Sequence, residues 1–437
     1  MDVLTQIQRL INIKKSFINV LANIGYAVST FQEIISSIEN HKQGDLDKSL
    51  MSALTAEDAA VRMDESVYNL HERLLAQNET LLSSVDTLAS KSFYETNLVY
   101  FKSKPCNAAI NEAFSSCRSL MFAELDQATD CTTLNSTFLR CNNIVAVELP
   151  PSLDKCKNLQ HTFSICTSLR KVNLPKQLPA CTTMSYIFEN CRNLDIDIEF
   201  TYLPKVTRLD NSFGGCSSLS SVTLPTEMPA LISMNDAFIG CSSLSTPLDI
   251  DCTNVLVITG CEIFCSCKNI PSLTLHSTAN IHNFNYFIYN CTSLTSVTGL
   301  DLSNAFLSVD EVKQLAAANK ITISDADAET VYRQTSWMGC TQTNTKLTNM
   351  PLQGTLYRSG FSIASCPLTA ESLYTWFVAL YDWTNNPEAK TTDDTTHTLT
   401  VNATSLAKMQ EYVPDDGVSG EEIYLQAIEK GWVIQTT

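Results

Sequence analysis

One spacing governs what this chain can fold into. Cys117, Cys141, Cys166, Cys191, Cys216, Cys241, Cys267 and Cys291 follow one another at 24, 25, 25, 25, 25, 26 and 24 residues. A phenylalanine precedes nearly every one by three places: Phe114, Phe138, Phe163, Phe188, Phe213, Phe238 and Phe264, with Ile288 last. Leu or Ile follows each by three: Leu120, Ile144, Leu169, Leu194, Leu219, Leu244, Ile270 and Leu294. A fixed period in this range marks a solenoid, in which each unit buries its apolar side against its neighbours.

Within a unit the apolar step changes. Cys131, Leu134, Phe138 and Cys141 fall at three, four and three, which predicts a short helix. Val147 and Leu149 then alternate up to Pro150, which predicts a short strand that the proline ends. The expected architecture is therefore an α/β repeat of about eight helix–strand units with stacked parallel strands, preceded by a helical stalk. Each buried Phe or Leu contributes roughly 1.5–3 kcal/mol, so one unit alone is marginal and a stack is not.

The motif Phe163-Ser164-Ile165-Cys166-Thr167-Ser168-Leu169 resembles the BspA-like leucine-rich repeats of gut and oral microbes. The resemblance covers about residues 106–300. It implies a leucine-rich-repeat solenoid that binds rather than catalyses.

Four regions follow: 1–43, 44–92, 93–300 and 301–437. In the first, Ile13, Lys14, Ile18, Leu21, Gly25, Phe31, Glu33, Ile34 and Ile38 resemble an N-terminal segment of bacteriophage tail and fibre proteins. The second carries Met63, Val67, Leu70, Leu74, Gln77 and Leu81 at heptad spacing, which predicts an oligomerising coiled coil. A single amphipathic helix docked on its own solenoid is the alternative. The third is the solenoid. In the fourth, Ser308-Val309-Asp310-Glu311 and Ser419-Gly420-Glu421-Glu422 have capping-box spacing and predict helices. The segments Ser405-Leu406-Ala407-Lys408 and Ala427 to Trp432 are similar to the closing part of phage-encoded repeat proteins, and would cap the solenoid end. The stretch from Pro387 to His397 reads as a loop.

The outward strand residues Glu148, Asn173, Asp197, Thr223, Asp249, Thr274 and Thr298 form the candidate ligand face, a polar and mildly acidic stripe. Solvation alone is the competing reading of that stripe. No catalytic, cofactor or metal site is predicted. The 17 cysteines need a non-disulfide account in a chain without an export signal, since such a chain stays in a reducing compartment. At the place seven before Phe, Cys131, Cys156 and Cys181 give way to Val206, Leu231, Val257 and Ile281, so cysteine serves there as a small hydrophobe. Cys261, Cys265 and Cys267, with His276 or His282, make only a poor zinc pattern. The pairs Asp195–Asp197 and Asp249–Asp251 come near the separation of retaining-glycosidase carboxylates, but on a strand face they read as solvated.

A net charge of −17 disfavours nucleic acid and anionic membranes. No run of about 20 apolar residues predicts membrane insertion. The expected protein is a bacteriophage virion component, a head or tail fibre made in the bacterial cytoplasm. Its N-terminal helices would contact other virion proteins, it would be a homo-oligomer (a trimer, by analogy with fibres), and its face would meet a host-surface protein or glycan. The rivals are a cellular BspA-like adhesin and, more remotely, a glycan-acting enzyme.

Overall fold

A computed structural model describes residues 76, 78–102, 104–336, 338, 344–387, 390, 392–394, 396–415 and 417–437. The expectations for 1–43 and for Met63, Val67, Leu70, Leu74 and Gln77 lie outside these residues.

Short parallel strands run along one side of a stack of coils. They are β1 (Tyr100–Phe101), β2 (Phe122–Glu124), β3 (Ala146–Glu148), β4 (Lys171–Val172), β5 (Asp197–Glu199), β6 (Ser221–Thr223), β7 (Leu248–Ile250), β8 (Ser272–Leu275) and β9 (Ser296–Thr298). They join as β1-β2-β3-β4, β5-β6 and β7-β8-β9. A second ladder of single bridges links Ala109, Thr133, Asn158, Thr183, Arg208 and Ser233 on another side.

The helix predicted within each unit does not form. Cys131 to Cys141 is a run of tight turns: the amides of Thr137, Leu139 and Cys141 donate to Leu134, Ser136 and Phe138 at 3.2, 3.2 and 3.0 Å. The alternate amides of Ser136, Phe138 and Arg140 cross to Gln160, Thr162 and Ser164 of the next coil at 2.9 Å each. Ser136 (φ 55°) and Arg140 (φ 60°) are left-handed, as an α-helix forbids. Spacing explains the choice. Packed helices stand 8–10 Å apart, whereas strands stand about 4.8 Å apart. Turns that give every second amide to the neighbour let this side stack as closely as the strand side.

Inside the coils the predicted ladder is buried: Phe138, Cys141, Phe163, Cys166, Phe188, Cys191, Phe213, Cys216, Phe238 and Cys241 all have no solvent exposure. The rings from Phe93 to Phe264 stack one on the next, with centroids 5.0–6.3 Å apart and planes within 22°. Each thiol has a polar partner. Cys117, Cys141, Cys166, Cys191, Cys216, Cys241, Cys267 and Cys291 donate Sγ–H to the carbonyl of the preceding coil's Phe, at 2.6–3.1 Å. Cysteine in this column is a hydrogen-bond donor as well as a small apolar filler.

The stack starts before and ends after the predicted 93–300. A coil ahead of the first predicted unit has Phe93 stacked on Phe114 and Thr96 in the cysteine position. That coil opens at Leu88, which bridges Cys106. Helical residues 78–83 lie against its end. The side-chain oxygen of Asn78 accepts the amides of Val99 and Tyr100 at 3.0 Å each, Leu82 is buried, and Leu81 leans on the same core. For Leu81 this is docking on the chain's own solenoid.

At the other end, β10 (Leu300–Asp301) pairs with β11 (Leu352–Gln353). Between them α1 (Val309–Ala318) and α2 (Asp325–Gln334) stand aside around a small core of Ile258, Phe306, Val312, Ala316, Ala328 and Tyr332. The coil resumes directly after α2, where Phe284 and Ile288 donate to Thr335 and Met338 at 3.1 Å each. Then come β12 (Phe361–Ser362), α3 (Ala370–Val378), β13 (His397–Val401), α4 (Ala403–Gln410), α5 (Gly420–Glu429) and β14 (Trp432–Thr436). The predicted caps are present: Ser308 accepts the Glu311 amide and Ser419 the Glu422 amide. One apolar core runs unbroken from Leu82 to Trp432.

Candidate binding face

The strand face takes its geometry from pairs of inward residues. Val147 and Leu149 are buried around exposed Glu148, Leu248 and Ile250 around exposed Asp249, and Leu273 and Leu275 around exposed Thr274. Parallel pairing aligns Glu124 with Glu148, Glu199 with Thr223, Asp249 with Thr274, and Thr274 with Thr298. Asn173 follows inward Val172, as Glu199 follows inward Ile198.

Asp197, predicted for this stripe, therefore does not stand in it. It pairs with Ser221, one column over, and Glu199 takes its place. Ile196 looks inward by alternation, yet it is only partly buried, because this unit holds one extra residue before its strand. The observed stripe is Glu124, Glu148, Asn173, Glu199, Thr223, Asp249, Thr274 and Thr298. Thr298 is half-buried and the others from Glu148 onward are exposed.

Several members already have partners within the chain. Asn173 imitates a strand: its Oδ1 accepts the Leu149 amide at 2.6 Å and its Nδ2 donates to the Leu149 carbonyl at 2.8 Å. Glu199 meets Lys176 at 2.5 Å, and Asp249 meets His276 Nε2 at 2.9 Å. Both pairs are solvated and contribute little to stability. The Tyr100 hydroxyl donates to Glu124 at 2.5 Å. Burial, that hydrogen bond and the charges of Glu124 and Glu148 all push the Tyr100 hydroxyl well above its ordinary value. The surface offers hydroxyls and carboxylates at rung spacing.

Most of the suspected reactive groups have partners of their own within the chain. Asp195 accepts from the Ser220 hydroxyl at 3.1 Å. Asp251 accepts the Met228 and Thr253 amides at 3.3 and 3.1 Å. Burial alone would raise its pKa, but the hydrogen bonds from Thr253 and Met228 and the charge of His276 bring it below the usual value. Cys267 is committed to Phe238, and Cys265 sits beside the Ser266 hydroxyl. Among the described residues no three His, Cys, Asp or Glu gather as metal ligands.

Sequence reasoning missed one charged centre. Arg358 is 6% exposed in its side chain and pairs with Asp394 at 3.1 Å, its guanidinium carbon 4.0 Å from the centre of the Tyr332 ring. The Tyr332 hydroxyl and the Ser359 amide also donate to Asp394, at 2.8 and 3.3 Å. Next to it Asp393 accepts the Val309 amide at 2.9 Å. The Thr- and Asp-rich loop thus ties α1 and α2 to the solenoid.

Short parallel strands, a polar outer stripe and an apolar ladder define a leucine-rich-repeat solenoid. The family described as BspA type leucine rich repeat region matches in six copies, over residues 68–195, 132–247 and 209–322. The chain belongs to that family. Among solved structures, a leucine-rich repeat protein from Bacteroides ovatus ATCC 8483 is 18% identical with a TM-score of 0.27, covering 46% of this chain and 59% of its own. The TLR13–ssRNA13 complex is 14% identical with a TM-score of 0.16, covering 76% of this chain and 56% of its own. In both cases the match spans less than two thirds of the solved chain. No protein with a curated description matches.

Proposed function

We propose that the chain is a non-enzymatic structural and adhesive component of a bacteriophage particle, a head or tail fibre. In this reading the solenoid presents its strand stripe to a host-surface protein or glycan. The observation that carries the binding part is the stripe itself: polar side chains from Glu148 to Thr274 held outward on strands whose inward residues are locked in one core. Repeat proteins bind through such extended surfaces. The particle part rests on the likeness of the segment from Ile13 to Ile38, and of the closing segment, to phage proteins. Homo-oligomerisation through Met63, Val67, Leu70, Leu74 and Gln77 belongs to the same reading.

Mass spectrometry of purified phage particles from a culture encoding the chain tests it. The chain is expected in the particle fraction. Its recovery in the cell envelope alone would replace the particle with the cellular adhesin. For the face, Glu148→Lys with Thr223→Lys is expected to abolish retention on intact host cells while leaving the thermal melt unchanged. Undiminished retention would remove the stripe from the binding role.

A further inference from the structure

The C-terminal part of the stack holds a cavity of a different make from the strand face. It has a volume of about 560 Å³ and opens to solvent between β11, the last turn of α3 and the end of α5. Clefts that take small ligands run to roughly 300–1,000 Å³. This one shares no residue with the strand stripe.

Its wall is aromatic and apolar. Tyr374 and Tyr381 line it, together with Val378, which is 51% exposed. Both rings are fixed by neighbours. Tyr381 meets Trp383 edge-on at 4.9 Å and Tyr357 at 4.6 Å, and Tyr374 meets Tyr412 edge-on at 5.5 Å. Their hydroxyls donate to the carbonyls of Asn386 and Val418 at 3.1 and 2.8 Å, which leaves each oxygen free to accept.

Two opposite charges share the same space, since Asp382 and Lys430 also line the cavity. The Asn385 backbone and side-chain amides donate to the two Asp382 oxygens at 2.9 and 2.7 Å, which sets the carboxylate's orientation and leaves lone pairs unspent. Those bonds first, and the Lys430 charge after them, hold the Asp382 carboxyl below its usual pKa. Lys430 is thus near enough to be felt, yet among the described residues its ammonium has no bonded partner. The Thr355 hydroxyl on the same wall has none either.

This mixture selects the ligand. An anion would meet Asp382, the carbonyl ends of α3 and α5, and a chain of net charge −17. A cation would meet Lys430. A neutral sugar meets neither obstacle: each hydroxyl both donates and accepts, and the C–H face of its ring can cover a tyrosine.

We propose that this cavity binds a neutral saccharide, whose neighbouring hydroxyls donate to Asp382 and accept from Lys430 while its ring lies on Tyr381. The fixed rings and the fixed carboxylate reduce the ordering that binding requires.

The test applies the whole chain to an array of immobilised neutral and sialylated oligosaccharides. Retention by at least one neutral glycan is expected, and raising the salt should change it little, because no net charge is exchanged. Lys430→Met removes the ammonium and Val378→Trp fills the opening. Each should weaken that retention roughly tenfold or more without moving the thermal melt. Glu148→Lys with Thr223→Lys should leave it unchanged, which separates this site from the binding role given to the stripe. No retention on any glycan, retention on sialylated glycans alone, retention that survives both cavity substitutions, or its loss in the stripe variant would each overturn the proposal.

Discussion

The Cys191 thiol donates to the Phe163 carbonyl oxygen, 3.0 Å away in the preceding coil. The same oxygen accepts the Cys166 amide at 3.0 Å, so one buried acceptor serves two donors. Because that oxygen keeps the Cys166 amide, losing the thiol donor costs about the net worth of one hydrogen bond, roughly 0.5–1.5 kcal/mol. Cys191→Val loses the donor and adds about one methyl group to a closed site, and should lower stability by at least that amount in urea unfolding. A variant as stable as the parent would reduce this column to simple packing.

Ile165 stands in the left-handed region at φ 61°, a poor place for a β-branched residue. The same column holds Asn190, Gly215, Gly240 and Asn290, the residue types that tolerate it best. Ile165→Asn should therefore raise stability by roughly 1 kcal/mol, seen as a higher urea midpoint. A lower midpoint would mean that the partly buried side chain of Ile165 contributes more than the strain costs.

Asp394→Asn leaves the Arg358 guanidinium buried without its counter-ion. Breaking such a pair from one side costs about 3–5 kcal/mol. The loss should be local, because α1 and α2 share a core separate from the main one. Hydrogen exchange should speed up in α1 and α2, while amides in β5 to β9 keep their protection. Uniform loosening along the whole stack would contradict this separation.

Asp236 contributes a pH dependence of its own. Burial, aided by the charges of Glu262 and Asp210 and opposed by the Asn211 hydrogen bond, raises its pKa from 3.8 to about 6. The folded state then holds a proton that the unfolded state releases first. Its contribution is fully present below pH 3.8 and is lost as pH rises through about 6. Comparing urea midpoints across this window, Asp236→Asn should flatten the fall seen in the parent. An identical slope in both would assign the titration elsewhere.

Much of the molecule could be read from residue spacing. The Phe, Cys and Leu columns fix the period and the interior, because only stacked coils bury three linked positions so regularly. The turn run was not legible from the apolar steps, since three, four and three fit either a helix or this sequence of turns. A signal was nevertheless present: Asn190, Gly215 and Gly240 sit where a helix interior would disfavour them. The slip between Asp197 and Glu199 came from Ile196, which alternation cannot tell from a true inward residue. The coil at Phe93 was hidden by Thr96, which replaces the marker thiol, and the coil resuming at Thr335 by the helices placed before it.

That resumption has a wider meaning. Because Phe284 and Ile288 find their acceptors in Thr335 and Met338, the two helices hang from the stack like a side branch, and the bonding of coil to coil continues beneath them. A gene for such a chain can gain or lose a whole decorative module at one loop while inheriting its axis intact. Novelty in this lineage of folds can thus accumulate sideways, leaving untouched the reach of the rod.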